Sequence, residues 1–130
     1  MRHARRGAAA IDFALTAALG FVPLLMGTME YSWYAFQQLQ TETAVQKGLR
    51  TAVMLPLDDD SEEDAEVLIE NELLEASVRG TATITTELLG TPPLIEMRVV
   101  AEVEYTSLFG LFPTPSANRT TRSARMEDQG

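Results

Sequence analysis

The side chain that raises the first chemical question is an aspartate inside an apolar run. Asp12 is the one formal charge among the 23 residues from Gly7 to Met29. A carboxylate at the centre of a membrane costs about 2.5–3.5 kcal/mol, and a position near one end of the run lowers that cost. An acid near the start of a helix also gains about 0.3–1 kcal/mol from the helix dipole. The position of Asp12 near the start of the apolar run therefore decides whether its carboxylate is tolerated there.

The residues that enzymes need are missing from the rest of the sequence. His3 is the only histidine, it precedes the apolar run, and there is no cysteine. No glycine-rich phosphate loop and no His/Glu metal spacing occurs. Asp58, Asp60 and Glu62 have carboxylates that suit calcium, but the loop lacks the central glycine and the spaced glutamate of an EF-hand. We therefore predict no enzymatic activity, no metal, no cofactor and no small-molecule substrate.

Charge is strongly segregated along the 130 residues. Arg2, Arg5 and Arg6 precede the apolar run, whereas ten acids and no base lie between Asp58 and Glu75, within a formal net charge of -9. An acidic surface repels phosphate backbones, so nucleic acid is excluded as a partner. The absence of cysteine excludes disulfides, but it does not locate the protein.

The apolar run predicts a membrane-spanning helix over about residues 8–29. A helix of 23 residues rises about 35 Å, enough for a hydrocarbon core of about 30 Å. Arginines precede the run, and an aromatic cluster follows it, which predicts a cytoplasmic N-terminus and an external C-terminal part. That cluster consists of Tyr31, Trp33, Tyr34 and Phe36. Pro23 predicts a kink. A cleaved secretory signal and a helix buried in a soluble core are the alternatives.

Beyond the span, helical spacing continues to Met54. Val45, Gly48, Leu49, Ala52 and Val53 form an apolar stripe, so we predict one helix over residues 8–54, with its outer half at 30–54. Pro56 disfavours helical geometry at Leu55, and an acidic linker is predicted at 55–61. A second helix then runs from about Glu62 to Val78, capped by Asp60 or Ser61 and ended by Gly80. Its apolar residues lie on two faces, which predicts burial on both sides or against a partner.

After Gly80 the apolar period changes to two, which predicts strands. The segments "TATITTEL" and "IEMRVVAEVEY" alternate apolar and polar residues, "GTPP" favours a hairpin between them, and "NRTTRSARME" is a weaker third strand. The predicted fold is α+β: a long N-terminal transmembrane helix and an outer module at 62–130, in which a helix packs with an antiparallel sheet of two or three strands. The apolar face of the sheet is expected to cover the helix stripe.

The start of the chain resembles a known signal. A basic leader at residues 1–7 ends in Gly7, four small or apolar residues follow, and Asp12 and Phe13 precede the apolar helix. This is similar to the class III prepilin signal, and "RRGAAAIDFAL" resembles the start of TadE-like pseudopilins of the Tad/Flp tight-adherence pilus system. "MEYSW", "AVQKGLRTAV" and the final "SARME" are further similarities. The family usually has Glu where Asp12 stands, and its usual proline lies nearer the start than Pro23.

The resemblance implies cleavage by prepilin peptidase between Gly7 and Ala8, with Asp12 and Phe13 as recognition and assembly residues. The new amine of Ala8 would lie one helical turn from Asp12 and could pair with it, or Asp12 could pair with the amine of an adjacent subunit. A dipole interaction alone is the other reading of Asp12. The implied location is the bacterial inner membrane in a single pass, oriented by Arg2, Arg5 and Arg6, with the module in the periplasm or in an extracellular pilus.

The implied function is that of a minor pilin, a non-catalytic component that primes or caps assembly of a Tad-type pilus or a related secretion apparatus. Its partners would be other pilins or pseudopilins and the assembly platform. Two alternatives stay open. One is an unprocessed single-span adaptor with an acidic periplasmic domain, and the other is a secreted acidic binding module.

Overall fold

A computed structural model describes residues 2–56, 59–91 and 94–126, with residues 2–6 described by their backbone alone. Three predicted features lie outside these ranges, namely Asp58, the Pro92–Pro93 part of the hairpin turn, and the end of the chain from residue 127. The chain divides into two compact units, Met1–Tyr34 with Ser107–Thr114, and Ala35–Thr106 with Pro115–Gly130. We refer to these as the first unit and the second unit.

The first unit consists mainly of an apolar helix that contains a π-helical turn. Helix α1 spans Arg2–Thr16, the π turn spans Ala17–Phe21, and helix α2 begins at Val22 and ends at Ala52. The Val22 N–H bonds the carbonyl of Ala17, five residues earlier. Pro23 follows immediately; it has no N–H, and its ring crowds the preceding turn. The helix accommodates the proline by widening before it, which is a recognised cause of bending.

Apolar side chains of the first unit face outward. One described helix, Gly7–Ala52, is long and apolar enough to cross a membrane, and its most apolar window is not buried by other parts of the chain. Phe13 and Leu19 are about three-quarters exposed, at 76% and 77%. Such exposure in water would leave a large apolar surface uncovered, whereas lipid covers it. These features agree with a single-pass membrane helix.

Helix α3 belongs to the second unit and spans Ser61–Glu75, with Asp60 at its N-cap position. The predicted stop at Gly80 is wrong, because the helix ends five residues earlier. Ser77 adopts a left-handed conformation with φ 55°, and the N–H groups of Val78 and Ser77 bond the carbonyls of Leu73 and Leu74. This is a Schellman ending, in which a serine takes the position usually held by glycine.

The sheet of the second unit has three antiparallel strands in the order β1-β2-β3. The strands are β1 Ala82–Thr91, β2 Leu94–Glu104 and β3 Ala117–Arg125, so the third strand is confirmed. Burial alternates along β2 as the period of two predicts. Gly80 precedes the sheet with φ 112°, and a Cβ there would collide with the carbonyl of Glu104. Its role is a close backbone approach at the edge of the sheet.

The core lies between the second half of α2, α3 and one face of the sheet. Its members are buried apolar side chains from all three layers: Ala44, Val45, Leu49, Ala52, Ala65, Ile69, Leu73, Met97, Val99, Ala101 and Val103, together with Met126. The predicted stripe on α2 is therefore confirmed. At Gly48 the helices approach so closely that an added Cβ would lie 2.9 Å from the Cα of Ile69. The α+β prediction is confirmed.

Candidate functional site

The predicted processing segment lies on α1 and is accessible. Gly7, Ala8, Asp12 and Phe13 are all exposed, and an added Cβ at Gly7 would meet no atom within 4 Å. The side chains of Arg2, Arg5 and Arg6 lie outside the described residues, although their backbone belongs to α1. An exposed helical segment is open to a membrane-embedded partner on every side. The structure therefore leaves room for the predicted recognition, which stays a prediction.

The backbone around Asp12 is regular helix. The Thr16 hydroxyl donates to the carbonyl of Asp12 at 2.9 Å, so Thr16 satisfies its polar group locally, as serine and threonine do in apolar helices. In this uncut chain the nitrogen of Ala8 is a peptide nitrogen within α1, so Ala8 offers Asp12 no free amine. Pairing between Asp12 and an N-terminal amine therefore requires the cut, and it stays a prediction.

The first unit also contains a buried acid near the end of the apolar run. The side chain of Glu30 is fully buried, and its two carboxylate oxygens accept backbone hydrogen bonds from a distant loop. The N–H of Leu108 donates to Oε1 at 3.1 Å, and the N–H of Phe109 donates to Oε2 at 2.8 Å. Hydrogen bonds to a carboxylate are stronger than neutral ones and offset part of its loss of water. We call this arrangement the Glu30 clamp.

Two further contacts hold the same loop, Ser107–Thr114, which we call the 107–114 loop. The hydroxyl of Tyr31 donates to the carbonyl of Pro113 at 3.1 Å. The ring of Phe112 covers Gly27, where an added Cβ would lie 3.1 Å from its Cε1. Gly27 is buried because this ring rests on it. The loop is therefore fixed to the helix through backbone hydrogen bonds on one side and a ring-on-glycine contact on the other.

From the sequence, Glu30 is recognised only within the "MEYSW" similarity, and no periodic pattern identifies the 107–114 loop. Partners that lie 78 and 79 residues apart leave no periodic signal. The available signal is composition, because no formal charge occurs from Tyr105 to Asn118 in a chain that is 22% charged. An uncharged, aromatic-rich loop in so acidic a protein indicates an apolar environment.

In the second unit, the acids of α3 contact the edge of the sheet. Oε1 of Glu66 accepts the Thr86 N–H and Oε1 of Glu62 accepts the Leu88 N–H, both at 2.9 Å. These two N–H groups point away from β2, so the glutamates occupy the outer edge of β1. Side chains that occupy a strand edge prevent another strand from pairing there. Strand β3 forms the other edge of the sheet.

An exposed ion pair joins α2 and α3 on the same unit. Nζ of Lys47 lies 2.6 Å from a carboxylate oxygen of Glu72 and 3.7 Å from one of Glu75. The hydrogen bond and charge of Glu72 raise the pKa of Lys47 above its ordinary value, with a smaller contribution from Glu75. The ammonium and these acids border an apolar groove between the helices, whose walls include Phe36, Leu39 and Ala76.

Among the described residues, no group of three or more histidine, cysteine, aspartate or glutamate side chains is arranged to hold a metal ion. The predicted cation candidates Asp60 and Glu62 belong to this described part, whereas Asp58 does not. Glu62 instead bonds the edge of β1. The acids of this region thus contribute to the sheet edge and to the exposed surface.

Comparison with known families finds a match over most of the long helix. The family model for "TadE-like protein" matches residues 7–50, a segment that begins at Gly7 and continues through Glu30 to the part of α2 that contains Gly48. No curated protein and no solved structure matches the chain. The match supports a pilin-like protein associated with a Tad pilus. Over residues 7–50 the chain is similar to the TadE-like family, which confirms the resemblance that the residues around Gly7 and Asp12 indicate.

Proposed function

We propose that this protein is a TadE-like minor pilin, a non-catalytic component that primes or caps assembly of a Tad-type pilus or a related secretion apparatus. The family match over residues 7–50 carries the proposal. It covers the segment that holds the processing motif and the apolar helix, which are the two parts that a pilin precursor requires. The exposed apolar surface of that helix supports a lipid-embedded precursor and, after extraction, helix packing between subunits.

The protein is anchored in the bacterial inner membrane in a single pass, with Arg2, Arg5 and Arg6 in the cytoplasm and the second unit in the periplasm. The asymmetry of charge around the apolar run supports this orientation, because basic residues are retained on the cytoplasmic side. Prepilin peptidase then cuts between Gly7 and Ala8. The amine of Ala8 pairs with Asp12 of the same subunit or of an adjacent one, and this pairing offsets the cost of a carboxylate in lipid.

Two surfaces of the second unit support contacts with other pilins and with the assembly platform. The groove between α2 and α3 exposes Phe36 and Leu39 beside the Lys47–Glu72 pair, which suits an apolar helix with a charge at one end. The edge of β3 suits strand addition, whereas Glu62 and Glu66 already bond the edge of β1. Partner contacts are therefore expected on the groove and on β3.

The test is processing in a cell that expresses the chain with and without prepilin peptidase. We expect the intact mass to fall by that of residues 1–7 only when the peptidase is present, and Gly7→Ala to abolish the fall. A methyl group at Gly7 meets no atom within 4 Å, so this variant tests recognition rather than folding.

Gly20→Ala is the matched control, because a methyl group there also meets no atom within 4 Å and it lies far from the cut. The control should be processed like the natural chain. An intact N-terminus in the presence of an active peptidase would exclude the pilin proposal and favour the unprocessed membrane adaptor. Release of the protein by alkaline carbonate would instead favour the secreted acidic module.

A further inference from the structure

The 107–114 loop belongs to the same compact unit as the apolar helix, and its contacts place it beside the end of the apolar run. Phe112 rests on Gly27, and Gly27 lies inside the uncharged stretch that ends at Met29. The clamp residue Glu30 and Tyr31 follow directly. A membrane that covers the apolar run up to Met29 therefore reaches the level of this loop.

The exposed surface of the loop is apolar. Leu108, Phe109 and Leu111 are 46%, 39% and 70% exposed, within eight consecutive residues. No formal charge occurs between Glu104 and Arg119. Isolated exposed apolar side chains are ordinary, but a contiguous uncharged group of them marks a membrane or protein contact.

The hydrogen bonding of the loop also suits an environment without water. The N–H groups of Leu108 and Phe109 donate to Glu30, and the carbonyl of Pro113 accepts from Tyr31. Irregular backbone at membrane depth requires partners within the protein, because lipid provides none. Three polar backbone groups of the loop thus have side-chain partners on the helix, and the carboxylate of Glu30 is itself shielded.

We infer that the 107–114 loop is a lipid-binding element, which inserts Leu108, Phe109 and Leu111 into the boundary between headgroups and acyl chains where the helix leaves the bilayer. The loop would fix the depth of the span. Continuity with the apolar run favours lipid as the occupant over a second protein. This inference requires that the helix cross a membrane but not that the chain be cut, so its failure and that of the pilin proposal are distinguishable.

The experiment uses the full chain in vesicles of phosphatidylethanolamine and phosphatidylglycerol, at a low ratio of protein to lipid. The chain has no cysteine, so Leu111→Cys can be labelled at one site with an environment-sensitive fluorophore. Leu94→Cys is the matched control, because Leu94 is an exposed leucine of the second unit at 58%. Quenching is measured with aqueous iodide and with lipids that carry a doxyl group near the headgroup or near the chain end.

We expect a label at position 111 to emit at shorter wavelength, to be quenched several-fold less by iodide than the label at position 94, and to be quenched most by the doxyl group near the headgroup. Equal iodide quenching at both positions would overturn the inference. Protection from iodide without quenching by either doxyl lipid would also overturn it, because a protein surface would then cover the loop.

A second variant tests whether the Glu30 clamp holds the loop at this depth. Glu30→Gln replaces one acceptor oxygen with an amide NH₂, which cannot accept the N–H of the loop. We expect it to increase iodide quenching at position 111, whereas Glu102→Gln, on an exposed strand position, should not change it. Unchanged quenching in Glu30→Gln would contradict the positioning role of the clamp.

Discussion

The two units of this protein use apolar side chains in opposite ways. In the first unit, Leu19 is 77% exposed and Phe13 is 76% exposed, on a helix with an apolar surface. In the second unit, Ile69 and Val99 are fully buried between helices and sheet. Both arrangements minimise contact between apolar surface and water, provided that lipid surrounds the first unit and water surrounds the second.

Glu30 shows the reverse pattern, whereas Asp12, the other acid of the first unit, is exposed. The carboxylate of Glu30 in the first unit is fully buried and bonded by two N–H groups. In the second unit the acids of α3 lie mainly on its surface, where Glu62 bonds the sheet edge and Glu72 pairs with Lys47. The surrounding solvent, and not the residue type alone, therefore decides whether a side chain is buried or exposed.

The comparison is tested most strongly by placing the same charge on an exposed leucine of each unit. Leu19→Arg puts a cation near the centre of the predicted span, where insertion becomes less favourable by about 2.5–3.5 kcal/mol. Leu74→Arg changes a leucine of α3 with similar exposure, 68%, and should alter the free energy of unfolding by less than about 0.5 kcal/mol.

Alkaline carbonate extraction measures the membrane-inserted fraction of both variants. We expect that fraction to fall in Leu19→Arg and to remain unchanged in Leu74→Arg. Equal behaviour of the two variants would mean that lipid does not surround the first unit.

A smaller effect is expected from adding one methyl group to a glycine in each unit. In Gly48→Ala the methyl group would lie 2.9 Å from the Cα of Ile69. Overpacking of this kind costs about 1–3 kcal/mol, whereas alanine gains about 1 kcal/mol in helix propensity. Because the atom that the methyl group would meet is the backbone Cα of Ile69, we expect a net loss of stability in the second unit. Urea unfolding in mild detergent measures this loss.

Gly20→Ala is the partner variant in the first unit, where the methyl group meets no atom within 4 Å. Its unfolding midpoint for the second unit should equal that of the natural chain. If Gly48→Ala unfolds at the same urea concentration as the natural chain, α2 and α3 do not approach as closely as the structure has them.

The smallest effect is expected from the exposed pair of Lys47 and Glu72. Since the hydrogen bond and charge of Glu72 raise the pKa of Lys47, the folded state holds the proton more tightly than the unfolded state. The contribution of the pair to the free energy of unfolding is fully present below the ordinary lysine pKa of 10.5. It is lost as pH rises through the higher folded-state pKa. At neutral pH, Lys47→Met should lower the unfolding midpoint slightly.

Unfolding at neutral pH and at strongly alkaline pH measures this difference. Among the described residues Arg50 forms no ion pair, so Arg50→Met is the control for loss of one charge from the same helix. If Lys47→Met lowers the unfolding midpoint by the same amount above the folded-state pKa of Lys47 as at neutral pH, that result would contradict the role of the ion pair.

Most of the second unit could be predicted from the sequence, because its elements repeat with a clear period. The stripe at Val45, Leu49 and Ala52 requires a cover, and alternation from Ile95 to Val103 provides the apolar face that covers it. The three antiparallel strands follow from this alternation and from the turn signals. Local periodicity is sufficient to predict the elements of a unit in which each layer is amphipathic.

The remaining features depend on contacts that leave no local pattern. The Glu30 clamp joins a helix to a loop near the other end of the chain. Pro23 predicts a disturbed helix, but it does not select the π turn at Ala17–Phe21 among the ways of accommodating a missing N–H. Ser77 in the left-handed region ends α3 at a position where the sequence offers no glycine, which is why the predicted stop at Gly80 is wrong.

The central claim is that the chain is a precursor whose helix is released from its basic leader at Gly7. The most direct measurement is N-terminal sequencing of the protein from the membrane fraction of the cell and from its sheared extracellular filaments. The account predicts a sequence that begins at Ala8 in the filaments and in the processed membrane pool. A sequence that begins with the residues of the basic leader in every fraction, with no chain in the filaments, would contradict it.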